Sequence, residues 1–303
     1  MKRFLKHIVL FVLLFFIVEK ITYIFLLEAP KREYDKRLET VLEGKMNKEL
    51  IVLGSSKGAS DVLAGQLENE TGFTSYNLSY EGSNVIFHEF VLKTLLKYNS
   101  VPKIVVLVID TPYEFIEEAS LKFRIDRLIP LSKYNYINSE LIKQKEKNFL
   151  SWFFMLSRIN RSNLEFHKRK PFHFNPIDSS GSRPYIVRNN KKKLDFSNNV
   201  ISYNAKEELT NKLTSFTNIQ YMCKMNNIEL IFALPPNFKT FNSTFVSRFK
   251  SLMNPKERLF IYDTLNPIYR EKEYYNDYSH LFKNGAQIFT SEISTFINSI
   301  NNQ

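Results

Sequence analysis

Asp277-Tyr278-Ser279-His280 is the only Asp-x-x-His in the chain, placed between a short apolar run and a closing amphipathic stretch. In a loop, a three-residue offset lets a carboxylate and an imidazole meet, the arrangement by which an acid orients a general base. Such a base needs a nucleophile. Gly54-Ser55-Ser56-Lys57-Gly58 offers one, because the apolar run Leu50–Leu53 ends abruptly in small residues and a helical pattern from Asp61 to Glu70 follows. A hydroxyl delivered there lies among the unpaired N–H groups that begin a helix, which can hold an oxyanion. Ser56, His280 and Asp277 are therefore candidates for acyl transfer through a serine nucleophile. Taken alone, the same junction is a corner in which Gly and Ser serve as turn and cap residues. The other four histidines are placed less well. His7 is at the edge of an apolar stretch, His88 lies in a helical pattern, and His167 and His173 are in a basic loop without a carboxylate at matching spacing.

The elements that must carry these residues alternate. Strands are expected at Leu50–Leu53, Ser75–Leu78, Lys103–Ile109, Glu229–Leu234 and Leu259–Tyr262. The third is nearly all Val, Ile and Leu, as in a strand buried on both faces. Helical patterns lie between them: Asp61–Glu70, Asn84–Tyr98, Ala205–Met225 and the closing Gly285–Ile300, which places Ile288, Phe289, Ile293, Phe296, Ile297 and Ile300 on one side. This alternation predicts a parallel, doubly wound α/β sheet of five strands, with sites at the carboxyl ends of strands. Residues 117–202 break the repeat and read as an insertion between the third and fourth strands. It holds a helical segment, Ser139–Arg161, and a loop rich in Pro, Asn, Ser and basic residues. Its Trp152-Phe153-Phe154-Met155 cluster is expected to pack the insertion; the alternative is a lid or acceptor surface over the site.

At 303 residues and 44% hydrophobic content, the chain suits one large domain with insertions, or two small ones. The single Cys223 excludes a disulfide framework and a cysteine metal cluster. Net charge is +11, but no nucleic-acid-binding motif accompanies the basic clusters His167–Lys170 and Lys191–Lys193, which read as a solvated face. The lysine, asparagine and aromatic content also matches AT-rich coding. Lys2, Arg3 and Lys6 precede an apolar stretch, Ile8–Leu27, interrupted only by Glu19-Lys20 and long enough for one membrane crossing. The alternative is a cleaved signal peptide with Ile8–Val18 as its apolar core, but no small-x-small cleavage site follows, so residues 1–29 are expected to be an uncleaved signal anchor and 30–48 a stalk. A short tail before a long domain points to an extracytoplasmic domain, from residue 49 to 303.

These blocks resemble the SGNH (GDSL-type) hydrolases. Gly54-Ser55-Ser56 resembles the family's first block, with Ser55 where Asp is usual. Tyr76-Asn77-Leu78-Ser79-Tyr80-Glu81-Gly82-Ser83 resembles the second, and Asp277-x-x-His280 the fifth. The resemblance implies a flavodoxin-like three-layer sandwich. It also implies Ser56 as nucleophile, His280 as base, Asp277 as orienting acid, and the N–H groups of Ser56 and Gly82 as the oxyanion hole. No metal or cofactor is implied. Ile109-Asp110-Thr111-Pro112 departs from the family's Gly-x-Asn-Asp, so no Asn donor is evident. The anchor and insertion resemble the membrane-anchored branch, which includes the D-alanyl transfer protein and alginate O-acetylation proteins. The branch implies an esterase or O-acyltransferase acting on acyl esters of envelope polysaccharide, with a membrane-bound acyltransferase as a possible partner. The alternative is a non-catalytic envelope assembly or polymer-binding protein. Gly54-x-Ser56-x-Gly58 also fits the nucleophile elbow of α/β-hydrolases, but that fold places several strands before its elbow.

Overall fold

A computed structural model of the chain describes residues 1–165, 167–170, 174–187, 194–200 and 202–301. Two of the residues and clusters singled out above, His173 and Lys191–Lys193, lie outside the described residues. The chain divides into two compact units, residues 1–39 with 124–171 and residues 40–123 with 172–303.

The second unit carries the sheet. Strands β1 (Leu50–Leu53), β2 (Ser75–Asn77), β3 (Ile104–Val108), β4 (Glu229–Leu234) and β5 (Arg258–Ile261) are ordered β2-β1-β3-β4-β5, all parallel. This is the doubly wound order 2-1-3-4-5, whose switch point lies between β1 and β3. The central strands β1 and β3, Leu-Ile-Val-Leu and Ile-Val-Val-Leu-Val, are wholly apolar and rich in β-branched residues because helices cover both faces. Leu50, Val52, Ile104, Val106, Ile231 and Ala233 turn one face toward Phe289, Ile293 and Ile297. On the other face Phe232 packs against Phe216 and Phe249.

The helices follow from the same arithmetic. The short α2 (Arg37–Leu42) precedes the sheet. Two helices come after β1, α3 (Ser56–Asp61) and α4 (Ala64–Thr71); α5 (Val85–Tyr98) follows β2. Asn84 caps α5 by accepting from the Phe87 N–H, so the helix begins where expected. The single helix expected over 61–70 is in fact two, beginning at Ser56 and broken at Val62-Leu63. The break has a long-range cause: the Leu63 N–H donates to the Thr290 hydroxyl at 3.1 Å and the Ala64 N–H to Ser182 Oγ at 2.8 Å, in place of helix carbonyls.

In the first unit, α1 (Lys2–Arg32) is one continuous helix, long and apolar enough to cross a membrane. Next in the chain come α6 (Ile125–Leu128) and α7 (Asn135–Lys143). The helix expected over 139–161 is formed only as far as Lys143, within α7. Lys145 adopts a left-handed φ of 62°, which ends α7, and 3-10 turns follow at Phe149–Trp152, Leu156–Arg158 and Arg161–Leu164. The aromatic cluster packs only in part: Phe154 meets the Phe15 ring, whereas Trp152 is 58% exposed and Phe153 70%.

The second unit is completed by α8 (Thr210–Met225), α9 (Ser243–Leu252) and α10 (Lys283–Asn301). Helix α10 packs on α3 and α4, and α5 packs on α8. The α10 contact matters most for the site, since it carries the loop before α10 to the carboxyl end of β1.

Candidate active site

Ser56 is the first residue of α3, one turn beyond β1. The geometry of this corner depends on Gly58, where an added Cβ would strike the Ser79 hydroxyl. Asn77, at the end of β2, holds the corner from the other side by donating to the Gly58 and Val62 carbonyls at 2.8 and 2.9 Å. Ser55 is fully buried behind it.

Across 224 residues of sequence, His280 Nε2 lies 2.8 Å from Ser56 Oγ. His280 Nδ1 lies 2.9 Å from Asp277 Oδ1. The same carboxylate accepts from the backbone N–H groups of Ser279 and His280 at 2.8 and 3.0 Å, which closes the loop on itself. A carboxylate only accepts, so Nδ1 carries the proton and Nε2 is left to accept from the Ser56 hydroxyl. All three side chains are half-buried, open enough to meet a substrate. The structure thus brings together the three residues singled out in the sequence.

Gly82 sits in a turn from Tyr80 to Ser83, where its φ of 66° favours glycine. That turn is tied to the end of β1: the Tyr80 N–H donates to the Gly54 carbonyl at 3.0 Å and Ser83 Oγ to the same carbonyl at 3.2 Å. Among the described residues, the N–H groups of Ser56 and Gly82 donate to no backbone or side-chain acceptor. They are available to an anionic oxygen.

Charge around the site is strongly organised. Burial disfavours the His280 imidazolium, but the hydrogen bond and charge of Asp277, with the charge of Asp61, outweigh it and raise the imidazole above its ordinary value. Burial works against the Asp277 carboxylate as well, yet its bonds to His280 and the loop N–H groups bring it down to about 2. Asp61 is fully buried, and burial pushes its carboxyl up to about 7 despite the attraction of His280.

Sequence reasoning missed the residues that back this array. Lys57, next to the candidate nucleophile, turns inward and is 4% exposed. Its ammonium donates to Asn237 Oδ1 at 2.7 Å, and Asn237 Nδ2 donates to Thr111 Oγ1 at 3.0 Å. Burial lowers the Lys57 pKa against the pull of Asp110 and Asp61. The Asn237 amide thus enters the region of Asp110-Thr111 from the loop after β4, and beside it Thr111, Asn237, Lys239 and Tyr262 line a cavity of about 80 Å³. On the opposite side, the Tyr185 ring lies 5.5 Å from that of His280. Arg183 donates its N–H to the Ala59 carbonyl and pairs with Glu81, the neighbour of Gly82. No local pattern announces these residues, because their partners lie far away in sequence.

His88 is not part of this array. It is buried, bonds Ser83 Oγ at 3.0 Å through Nε2, and burial holds its pKa down to about 3, so it is a neutral core histidine. No family model matches the chain, and no curated protein matches it.

Proposed function

We propose that the chain is a membrane-anchored serine esterase or O-acyltransferase of the SGNH type, acting on acyl esters of an envelope polysaccharide or a related polymer. The observation that carries this reading is the unbroken relay from Asp277 through His280 to Ser56, at 2.9 and 2.8 Å. In the first half-reaction Ser56 Oγ attacks the acyl carbonyl carbon while His280 Nε2 takes the hydroxyl proton. The carbonyl oxygen gains charge against the Ser56 and Gly82 N–H groups. The ester C–O bond breaks, the leaving oxygen takes the proton from His280, and the acyl group stays on Ser56. Water or a sugar hydroxyl then takes the acyl group, with His280 again the base. Asp277 holds the tautomer and stabilises the imidazolium.

The all-parallel 2-1-3-4-5 sheet and the position of Ser56 at the end of β1 support the family reading. Helix α1 supports the anchor; in this reading the catalytic unit lies outside the cytoplasm and a membrane-bound acyltransferase is the donor's source. The rival reading, a non-catalytic envelope protein on the same fold, draws on Asp110-Thr111 standing where the family has an Asn donor. The hydrogen-bonded relay argues against it, since a binding protein has no need of an aligned base. A fluorophosphonate probe separates the two: the wild type is labelled and Ser56→Ala is not. Absence of labelling in the folded wild type would overturn the enzyme reading.

A further inference from the structure

We propose that Phe149–Leu156 is a second membrane-contacting element, an aromatic wedge that enters the lipid bilayer alongside α1. The proposal rests on α1 being the membrane helix. The uninterrupted apolar part of α1, Ile8–Val18, rises only about 16 Å, roughly half of a ~30 Å hydrocarbon layer. The bilayer must therefore extend past Glu19, and the exposed Ile21 and Ile24 continue the apolar surface there. The opposite face of α1 is occupied. Phe15, Val18, Glu19, Thr22, Phe25, Leu26, Ala29 and Pro30 are shielded, and the 3-10 turns at 156–158 and 161–164 pack against the helix. Whatever packs on α1 at that level lies within the depth of the bilayer.

The contact at that level is specific. The two oxygens of Glu19, a charge that interrupts the apolar stretch, accept from the backbone N–H groups of Met155 and Leu156 at 2.7 and 3.1 Å. The Phe154 ring meets Phe15 edge to face at 5.5 Å. From this support Phe149, Trp152 and Phe153 project outward, 67%, 58% and 70% exposed. An apolar patch of this kind on a water-facing surface is unfavourable, whereas at a membrane interface aromatic side chains are favoured.

Irregular backbone is tolerated at membrane depth only where its polar groups are taken up by protein. Here they are. The Leu150 carbonyl accepts from Phe153 and Phe154, the Phe154 carbonyl from Ser157, and the Met155 carbonyl from Arg158. The Ser151 carbonyl accepts from the buried Arg158 Nε at 2.7 Å and from Asn138 Nδ2 at 2.9 Å. Lys20, exposed beside Glu19, has a stem long enough to carry its ammonium to the headgroups.

Trp152 is the only tryptophan in the chain, so the wild-type protein carries its own depth probe. The full chain is reconstituted in phosphatidylcholine vesicles with and without brominated acyl chains, and flotation of the same sample reports anchoring. The expected result is loss of most Trp152 emission to the bromolipid and protection from aqueous iodide. Quenching by iodide with no bromolipid effect, in protein that floats, overturns the wedge and leaves the anchor standing. Protein that does not float overturns the anchor and the wedge together. Labelling of Ser56 by fluorophosphonate is indifferent to all three outcomes, so the enzyme reading is tested separately.

Discussion

The Leu281 N–H donates to Asp61 Oδ1 at 3.1 Å, joining the end of α3 to the loop that carries His280. Ser60 Oγ donates to the same oxygen at 2.6 Å. Asp61 therefore ties the helix that bears Ser56 to the backbone beside His280. Because it is also a buried carboxyl near His280, its charge raises the proton affinity of that imidazole.

This relationship predicts a pH profile. His280 must be neutral to accept the Ser56 proton, and its pKa lies above the ordinary 6.5. Turnover of an acyl ester should fall on the acid side with a midpoint above 6.5. Asp61, which ionises at about 7, titrates in the same range, so the midpoint belongs to the pair. Asp61→Asn keeps an acceptor for the Leu281 N–H and removes the charge. Its acid limb should shift to lower pH; a limb that stays in place, measured as kcat/KM against pH, would rule out the electrostatic link.

Asp277→Asn keeps the size of the side chain and loses the charge that sets the imidazole tautomer. Turnover is expected to fall by a factor on the order of 10⁴, with substrate affinity little changed. Steady-state kinetics on the folded variant check this. The Asp277 carboxylate also contributes stability above its ordinary 3.8, a contribution lost as pH falls toward about 2. Acid unfolding of the variant should lack that component.

Lys57→Met should unsettle the wall behind Ser56. It leaves Asn237 Oδ1 without its donor and removes the cation that most favours the charge of buried Asp110, whose carboxyl burial already pushes up. The expected loss is about 2 kcal/mol of stability, read from urea or guanidinium unfolding at constant m-value. A variant as stable as the wild type would show that Lys57 is not a structural member of the site.

Gly58→Ala tests the close approach of α3 to the loop after β2. The new methyl meets Ser79 Oγ and Cβ, and the expected destabilisation is about 1–3 kcal/mol. Ser79→Gly removes both atoms, so the double variant should recover much of the loss. Simple additivity in the double-mutant cycle would show that the two positions do not share space.

Much of the sheet is legible from the residues themselves. The apolar runs at Leu50–Leu53 and Glu229–Leu234 form strands over those residues, and the other three strands fall within one residue of expectation at each end. Such runs declare themselves because burial on both faces leaves few other residue types acceptable. The residue types and order of Ser56, Asp277 and His280 are also plain in the sequence, the last two because their hydrogen bond is local. So is the apolar helix at the N-terminus.

What the chain alone did not decide depends on contacts over long separations. The break between α3 and α4 comes from Thr290 and Ser182, which claim the Leu63 and Ala64 N–H groups across 227 and 118 residues. The inward turn of Lys57 requires Asn237, 180 residues later, and the Tyr185 wall requires a loop without periodicity. Around Trp152 the helical spacing of apolar residues was misleading: Lys145 ends α7, and Glu19 of α1 takes the N–H groups of Met155 and Leu156. The local pattern set the elements; the long-range hydrogen bonds brought Ser56 and His280 within 2.8 Å of each other.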